Sequence, residues 1–374
     1  MIVLFGATGY TGARVAEAMV QRGLRPVLAG RNAGKLARLA GRLERSQGQG
    51  RLDLVRADVS DVAPVRDLIS RGDVLVSTVG PFVRFGEPAL RAAVDAGAIY
   101  FDSTGEAPFI RRVFEEFGPL AQRSGASLIT AFGHDYVPGN LAGALALQRS
   151  GAPVHRLEVA YLIGRAGRAQ VISRGTFSSA VGMLCGQGFT WRGASQPEPT
   201  ASRVGTIKLR GRKYPALAIG ATEHYSLPRL AGPQGLSEVD VYLGRFTPAG
   251  PLTELSYRVI PTLLALPGAR SLVRGLGEFA TRWVAEKPDQ TALSEVTSHV
   301  VSTAYDACGA ELAQVHLASG DPYQLTADLL AWGAQLAAEH GVSGPGALGP
   351  VEAFGVPELT TGAVEVGLRN LTGG

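Results

Sequence analysis

Three glycines spaced three apart within seven residues, Gly6-Ala7-Thr8-Gly9-Tyr10-Thr11-Gly12, are the first residues with chemistry in their spacing. A glycine turn lets backbone come close to a pyrophosphate. A helix starting in that turn then aims N–H groups and the positive end of its dipole at the phosphates. Met1 to Phe5 is a short apolar run that predicts a buried strand. Ala13 to Gln21 predicts a helix with Val15, Ala16 and Met19 on one face, and Gly23 stands where its C-cap belongs. Strand, glycine turn and helix together are the context that a dinucleotide site needs. G-x-x-G-x-x-G differs by one residue from the G-x-G-x-x-G spacing. The bland alternative is a tight turn in a glycine-rich chain. The candidate cofactor-binding residues of this stretch are Gly6, Thr8, Gly9, Tyr10, Thr11 and Gly12.

Further candidates follow at the ends of later predicted strands. Arg25 to Gly30 is the second strand, and Arg31 follows it where an acid would hold the ribose 2′-hydroxyl of NAD. Arg31 and Lys35 are two cations suited to a 2′-phosphate, so NADP is the expected cofactor. The alternative is a solvated arginine on a loop. Asp58 ends the third strand, Leu52 to Val59, as either an adenine contact or a helix cap for the segment around Pro64. Asp73 to Val79 is the fourth strand. Thr78, Val79, Gly80 and Pro81 lead into the turn expected under the pyrophosphate. Strands at Ala98 to Asp102 and Ser127 to Phe132 end in Ser103-Thr104-Gly105-Glu106 and Gly133-His134-Asp135-Tyr136. Reduction needs a proton donor beside the hydride. Tyr136 and His134 can donate, and Glu106 or Asp135 can orient a donor or anchor the nicotinamide amide. Their bland roles are helix caps for the acids and packing for Tyr136.

These residues require strands that alternate with helices. The expected fold is α/β, a doubly wound parallel sheet in the order 3-2-1-4-5-6 with right-handed crossovers. Beyond residue 150, five segments alternate or are β-rich, with a hairpin at Asp306-Ala307-Cys308-Gly309. They predict a second, α+β domain with a mostly antiparallel sheet. The expected division is 1–145 for the dinucleotide-binding domain and 146–343 for the substrate domain. Residues 344–374 form a tail that packs back on the first. Gln196 to Thr200 is expected as a polar loop, and Asp321-Pro322 opens a helix of about twenty residues. Between 257 and 286, leucines interleave with Arg258, Arg270, Arg274 and Arg282. The segment is a core-packed helix pair broken at Pro267-Gly268, or else an apolar lid or membrane-surface segment with basic anchors.

Composition narrows the classes. The chain has 374 residues, 45% hydrophobic and 18% charged, with a net charge of +4, which suits about two globular domains. Its arginines are scattered, so no nucleic-acid partner is expected. Cys185 and Cys308 show neither metal-ligand spacing nor a disulfide framework, so no metal is expected and a cytoplasmic location fits. With the first strand read at the first residues, no signal peptide is expected, and no apolar run is long enough to span a membrane. No Tyr stands four residues before any Lys, which removes the short-chain dehydrogenase pair. H-E-x-x-H, C-x-x-C and G-x-S-x-G are also missing.

Five motifs together resemble the saccharopine dehydrogenase-like oxidoreductases. They are G-A-T-G-Y-T-G at Gly6, A-G-R-N with Lys35, S-T-V-G-P-F at Ser77, Y-F-D-S-T-G-E at Tyr100 and G-H-D-Y-V-P-G-N-L at Gly133. Within that group the chain is similar to the trans-acting enoyl reductases and the animal saccharopine dehydrogenase-like oxidoreductases, best over about the first 145 residues. The resemblance implies an NADP-binding domain, a substrate domain and hydride transfer. The substrate expected from the leucine-rich segment is a small apolar or lipid-like molecule, an enoyl group among the candidates. The alternatives are a saccharopine-type dehydrogenase acting on amino-acid imines and an NADP-binding regulator without turnover. Peripheral membrane contact through 257–286 and a homodimer complete the expected partners.

Overall fold

A computed structural model describes the chain except residues 48–49, 165–172, 233–234, 247–249, 286–287 and 373–374. It divides into two compact units. The first holds Met1–Thr104, Phe109–Asp135 and Tyr323–Glu358, and the second holds Gly105–Pro108, Tyr136–Pro322 and Leu359–Gly374. The helix Pro322–His340, expected with the second domain, therefore falls almost entirely in the first unit. Its buried face carries Leu325, Leu329, Leu330 and Trp332, and Trp332 lies 6.4 Å from Phe132 in a parallel stack.

The first unit is built on a parallel seven-stranded sheet. Its strands are β1 (Ile2–Phe5), β2 (Val27–Gly30), β3 (Leu54–Arg56), β4 (Val74–Ser77), β5 (Ile99–Asp102) and β6 (Ser127–Ile129), with Gly346–Ala347 as the seventh. The spatial order β3-β2-β1-β4-β5-β6 is the doubly wound order, and Gly346–Ala347 adds in parallel beyond β6. Every residue of β1, β2, β4 and β5 is buried, as a sheet covered on both faces requires. Edge strand β3 is shorter than expected and largely exposed. The helix Tyr10–Gln21 follows the glycine turn. Gly23 ends it at φ 79°, where Leu24 N donates to Met19 O and Gly23 N to Val20 O. A left-handed glycine thus satisfies two helix-end carbonyls. The helical stretch from Ala107 to Ser124 is interrupted by a π-turn at Val113–Phe117.

The second unit carries a mixed, mostly antiparallel sheet. Its strands are β7 (Arg156–Gly164), β8 (Gln187–Arg192), β9 (Ser195–Pro199), β10 (Val204–Leu209), β11 (Arg212–Ala218), β12 (Glu238–Arg245), β13 (Thr297–Tyr305) and β14 (Glu311–Ser319). The main path runs β10-β11-β12-β7-β13-β14 and ends on the short strand Arg369–Asn370. Only β12 and β7 pair in parallel along it. Leu162, Ile207, Tyr214, Tyr242 and Val301 form the core on one face. One expectation is corrected here. Gln196 to Thr200 is largely strand β9, paired with β8. Strand β11 lies outside the expected β-rich segments. β9 carries Pro197 and Pro199 and β11 carries Pro215, which sequence patterning counts against strands. β9 lies off the main path, and Pro215 lies just before the stretch of β11 that pairs with β12, which begins at Ala216, so the missing N–H is tolerated.

The leucine-rich segment is a pair of helices, Pro251–Ala265 and Ala269–Ala280, followed by a turn at Thr281–Trp283. The expected core packing is not what is found. Leu264 is buried, but Leu255, Leu263, Leu272, Leu276 and Trp283 are exposed. Two of the expected basic anchors face the protein. Arg270 donates to Leu184 O and Thr200 O, and Arg274 to Cys185 O. Residue 286, at the end of the expected segment, lies outside the described residues.

Candidate functional site

The glycine turn separates three roles. Gly6 adopts φ 88°, and a Cβ there would lie 2.7 Å from Val79 Cγ2 and 2.9 Å from Thr78 Oγ1. A Cβ on Gly12 would lie 2.2 Å from Gly6 O. Both glycines are demanded by packing of the turn on the helix and on the end of β4. Gly9 differs. It is exposed, and its Cβ would meet only Gly6 O at 3.4 Å. Nothing inside the protein requires glycine at Gly9, whereas a phosphate approaching the backbone would. Gly9 is also the N-cap of Tyr10–Gln21, with no side-chain cap and no acid in the first turn. That leaves the helix start suited to an anion.

Thr78 closes the turn from the neighbouring strand. Its hydroxyl donates to Phe5 O or Gly6 O, at 3.3 and 3.2 Å. Val79 packs on Gly6, and Gly80-Pro81 then leads into the short helix Phe82–Phe85. Thr8 is half-buried, close to Gly30 at the end of β2. Thr11 is half-buried in the first helical turn. The Tyr10 ring packs edge-on to Tyr323 at 5.1 Å, so this side chain serves the protein's own packing. Arg31 and Lys35 are both exposed beyond β2, and Asn32 caps the next helix by accepting from Lys35 N. Asp58 accepts from both the N–H and the hydroxyl of Ser60, which hold its carboxyl below the ordinary value. It therefore pins a local turn and not the segment around Pro64.

The loops after β5 and β6 are tied by Asp102, a residue outside the set of expected site residues. It is fully buried. One oxygen accepts from Thr104 N at 2.9 Å and Ala131 N at 2.8 Å, and the other from Thr130 Oγ1 at 2.7 Å. Burial raises its pKa to about 6, with the Ala131 and Thr104 N–H groups working against the rise. Ala131 sits at φ 56°, a left-handed conformation that costs a non-glycine residue free energy. Asp102 supplies the bond that holds it there. Its place in Y-F-D-S-T-G-E was visible, but a bond to a residue 29 positions away was not.

The four expected catalytic residues separate. His134 is buried, and its Nδ1 lies 2.9 Å from Asp135 Oδ1. His134 N donates to Thr326 Oγ1, which fixes the loop against the helix Pro322–His340. The Asp135 side chain is 47% exposed. These two belong to the first unit. Tyr136 and Glu106 belong to the second. The Tyr136 hydroxyl donates to Gly105 O at 3.2 Å, and its ring packs edge-on to Tyr161. Glu106 accepts from Ser179 Oγ at 2.8 Å.

The G-N pair of V-P-G-N-L gains its reason in a buried polar network. Gly139 N donates to the Tyr161 hydroxyl, which donates to Glu223 at 2.6 Å. A Cβ on Gly139 would lie 2.1 Å from Glu223 Oε1. Asn140 donates to Thr222 Oγ1 and accepts from Ser226 Oγ. Tyr161 and Glu223 carried no sequence signal, because they lie 62 residues apart in the chain and meet only in the folded structure. Elsewhere in the second unit, a cavity of about 360 Å³ lies at the elbow of the helix pair. Pro199, Pro261, Leu264, Leu266, Arg270 and Ser271 are among its lining residues. Among the described residues, no group of three or more His, Cys, Asp or Glu could hold a metal ion.

No protein-family model matches the chain. Among solved structures, homospermidine synthase from Legionella pneumophila in complex with NAD aligns with a TM-score of 0.63. It is 10% identical, over 100% of this chain and 92% of that one. Saccharopine dehydrogenase (L-Glu forming) from Saccharomyces cerevisiae aligns with a TM-score of 0.56, 12% identical, over 99% and 98%. The fold is saccharopine dehydrogenase-like. Sequence relatives agree with the motif resemblance. A trans-acting enoyl reductase from Mycobacterium ulcerans is 35% identical over 142 residues, 37% of this chain and 34% of its own length. A lipid droplet localized protein from Caenorhabditis elegans is 27% identical over 221 residues, 56% and 51% respectively. The alignments thus span about a third to a half of these curated relatives.

Proposed function

We propose that this chain is an oxidoreductase that binds NADP(H) and exchanges hydride with an apolar, lipid-like substrate carrying an enoyl group. The observation that carries the dinucleotide reading is Gly9, an exposed glycine with no packing demand, at an uncapped helix start beyond the carboxyl ends of a doubly wound sheet. Gly9 and the first helical turn would hold the pyrophosphate. Thr78 to Pro81 would line its far side. Arg31 and Lys35 would take the 2′-phosphate, since both are exposed beyond β2 and no acid stands at either position. The bound dinucleotide would supply the hydride.

Protein groups then manage the proton. His134 is the preferred donor of the four candidates. Asp135 accepts at Nδ1, which fixes the ring and favours a proton on that nitrogen. His134 would pass a proton to the reduced substrate while Asp135 holds the ring through Nδ1. The Tyr136 hydroxyl is buried and bonded to Gly105 O, which weakens its claim. Glu106 is bonded to Ser179.

The enoyl substrate rests on the names of the relatives, enoyl reductase and lipid droplet protein, and on the largely apolar elbow cavity. An amino-dicarboxylate substrate has less support. Arg192 and Arg203 do converge, but on Asp240 of the chain itself, at 2.6 and 3.0 Å. The test is NADPH and NADH titration by intrinsic fluorescence, then NADPH oxidation over acyl and amino-acid panels. Tight NADPH binding with turnover on an enoyl thioester supports the reading. Turnover only with amino acids and oxo acids would replace the substrate class. Binding without turnover on any panel would make the chain a cofactor-binding regulator.

A further inference from the structure

The helices Pro251–Ala265 and Ala269–Ala280 and the following turn display an apolar stripe that the described chain leaves uncovered. On the second helix it consists of Leu272, Leu276, Phe279 and Trp283, exposed by 53–69%. At roughly 100° per residue these four fall within about 60° of arc. The opposite side of that helix makes the packing. Gly277 faces Val181, where a Cβ would lie 2.4 Å from Val181 Cγ1, and Arg270 and Arg274 bond the carbonyls of Leu184 and Cys185. The first helix repeats the pattern. Leu255, Val259, Leu263 and Leu266 are exposed, while Leu264, about half a turn from Leu255, is buried. The outward face is therefore set by how both helices are anchored.

We propose that this face docks on an anionic phospholipid surface. The charges choose the occupant. Exposed Arg258 and Arg282 flank the stripe, while Arg270 and Arg274 are engaged with carbonyls on the packed side. A second copy of the chain meeting the face isologously would bring like charges toward each other. Anionic headgroups offer them opposite charge, with the leucines, Phe279 and Trp283 entering the acyl boundary. Among the described residues no helix is long and apolar enough to cross a membrane, so the pair lies along the surface. The proposal does not depend on the dinucleotide reading.

Vesicle flotation tests it. The full chain should float with phosphatidylglycerol–phosphatidylcholine vesicles at low salt, less with phosphatidylcholine alone, and be largely released at high salt. Leu272→Glu with Leu276→Glu should cut partitioning on the order of tenfold or more. Both side chains are exposed, so the melting temperature and NADPH titration should be unchanged. Absence of flotation at low salt overturns the proposal, as does equal flotation of the double variant. A concentration-dependent dimer that the double variant abolishes, without flotation, would show that a second copy covers the face.

Discussion

At the scale of single residues, the glycine turn shows how one motif mixes two demands. Gly6 and Gly12 serve the fold, whereas nothing in the protein's own packing requires glycine at Gly9, the position proposed for the pyrophosphate. Arg31 makes the cofactor reading testable. Losing one charge-assisted contact to phosphate should cost about 1.5–3 kcal/mol, or about tenfold to a hundredfold in affinity. Titration of Arg31→Ala should show that loss for NADPH and almost none for NADH. Parallel losses would deny Arg31 the selecting role. His134 gives a second comparison. In the enoyl assay, His134→Ala should lower kcat by about 10²–10⁴ with NADPH affinity kept, while Tyr136→Phe stays within about tenfold. The reverse ranking would move the donor to Tyr136.

Among elements, the joint between β5 and β6 depends on one buried carboxylate. Asp102 joins Thr104, Thr130 and Ala131 across the ends of both strands. Its folded-state pKa of about 6 lies above the ordinary 3.8, so the folded protein holds its proton longer than the unfolded chain does. The stability Asp102 contributes is then fully present below about pH 4 and lost as pH rises through 6. Urea unfolding of wild type and Asp102→Asn should show the wild type losing ground to the variant by up to about 3 kcal/mol between pH 4 and pH 7. A constant difference across that range would mean that Asp102 titrates normally. The helix pair is the other informative element. Its leucines satisfied a core pattern, yet only one side of each helix has protein to pack against, so the periodicity reported amphipathicity and not what covers it.

For the whole molecule, the chain crosses between its two units more than once. Tyr323–Glu358 returns to the first unit, and Leu359–Gly374 to the second. Gly346–Ala347 covers the β6 edge of the first sheet, and Ser127 Oγ donates to Gly344 O beside it. Arg369–Asn370 pairs with β14 in the second sheet, and Thr372 Oγ1 accepts from His316 N. Removing residues 344–374 should therefore expose strand edges in both sheets. Such a truncated chain should melt at lower temperature and aggregate, read by calorimetry and light scattering. Unchanged melting would show that the return strands add nothing to either sheet.

What the sequence determined by itself was local in origin. The apolar runs at β1, β2, β4 and β5 could be read because a sheet covered on both faces needs unbroken hydrophobic strands. The turn at Gly6 to Gly12 and the stop at Gly23 could be read because glycine conformations leave short-range signatures. The strand order followed from alternating elements and right-handed crossovers. Tertiary structure alone decided the rest. It made β9 and β11 strands despite their prolines, and it bonded Tyr136 to Gly105 and Glu106 to Ser179 within the second unit. It recruited Asp102, Tyr161 and Glu223 through contacts 28 to 62 residues apart. It also turned the leucines of the helix pair outward, because Arg270, Arg274 and Gly277 claimed the inner face. Backbone preference acts between near neighbours, whereas burial and hydrogen-bond partnership depend on which distant segment arrives.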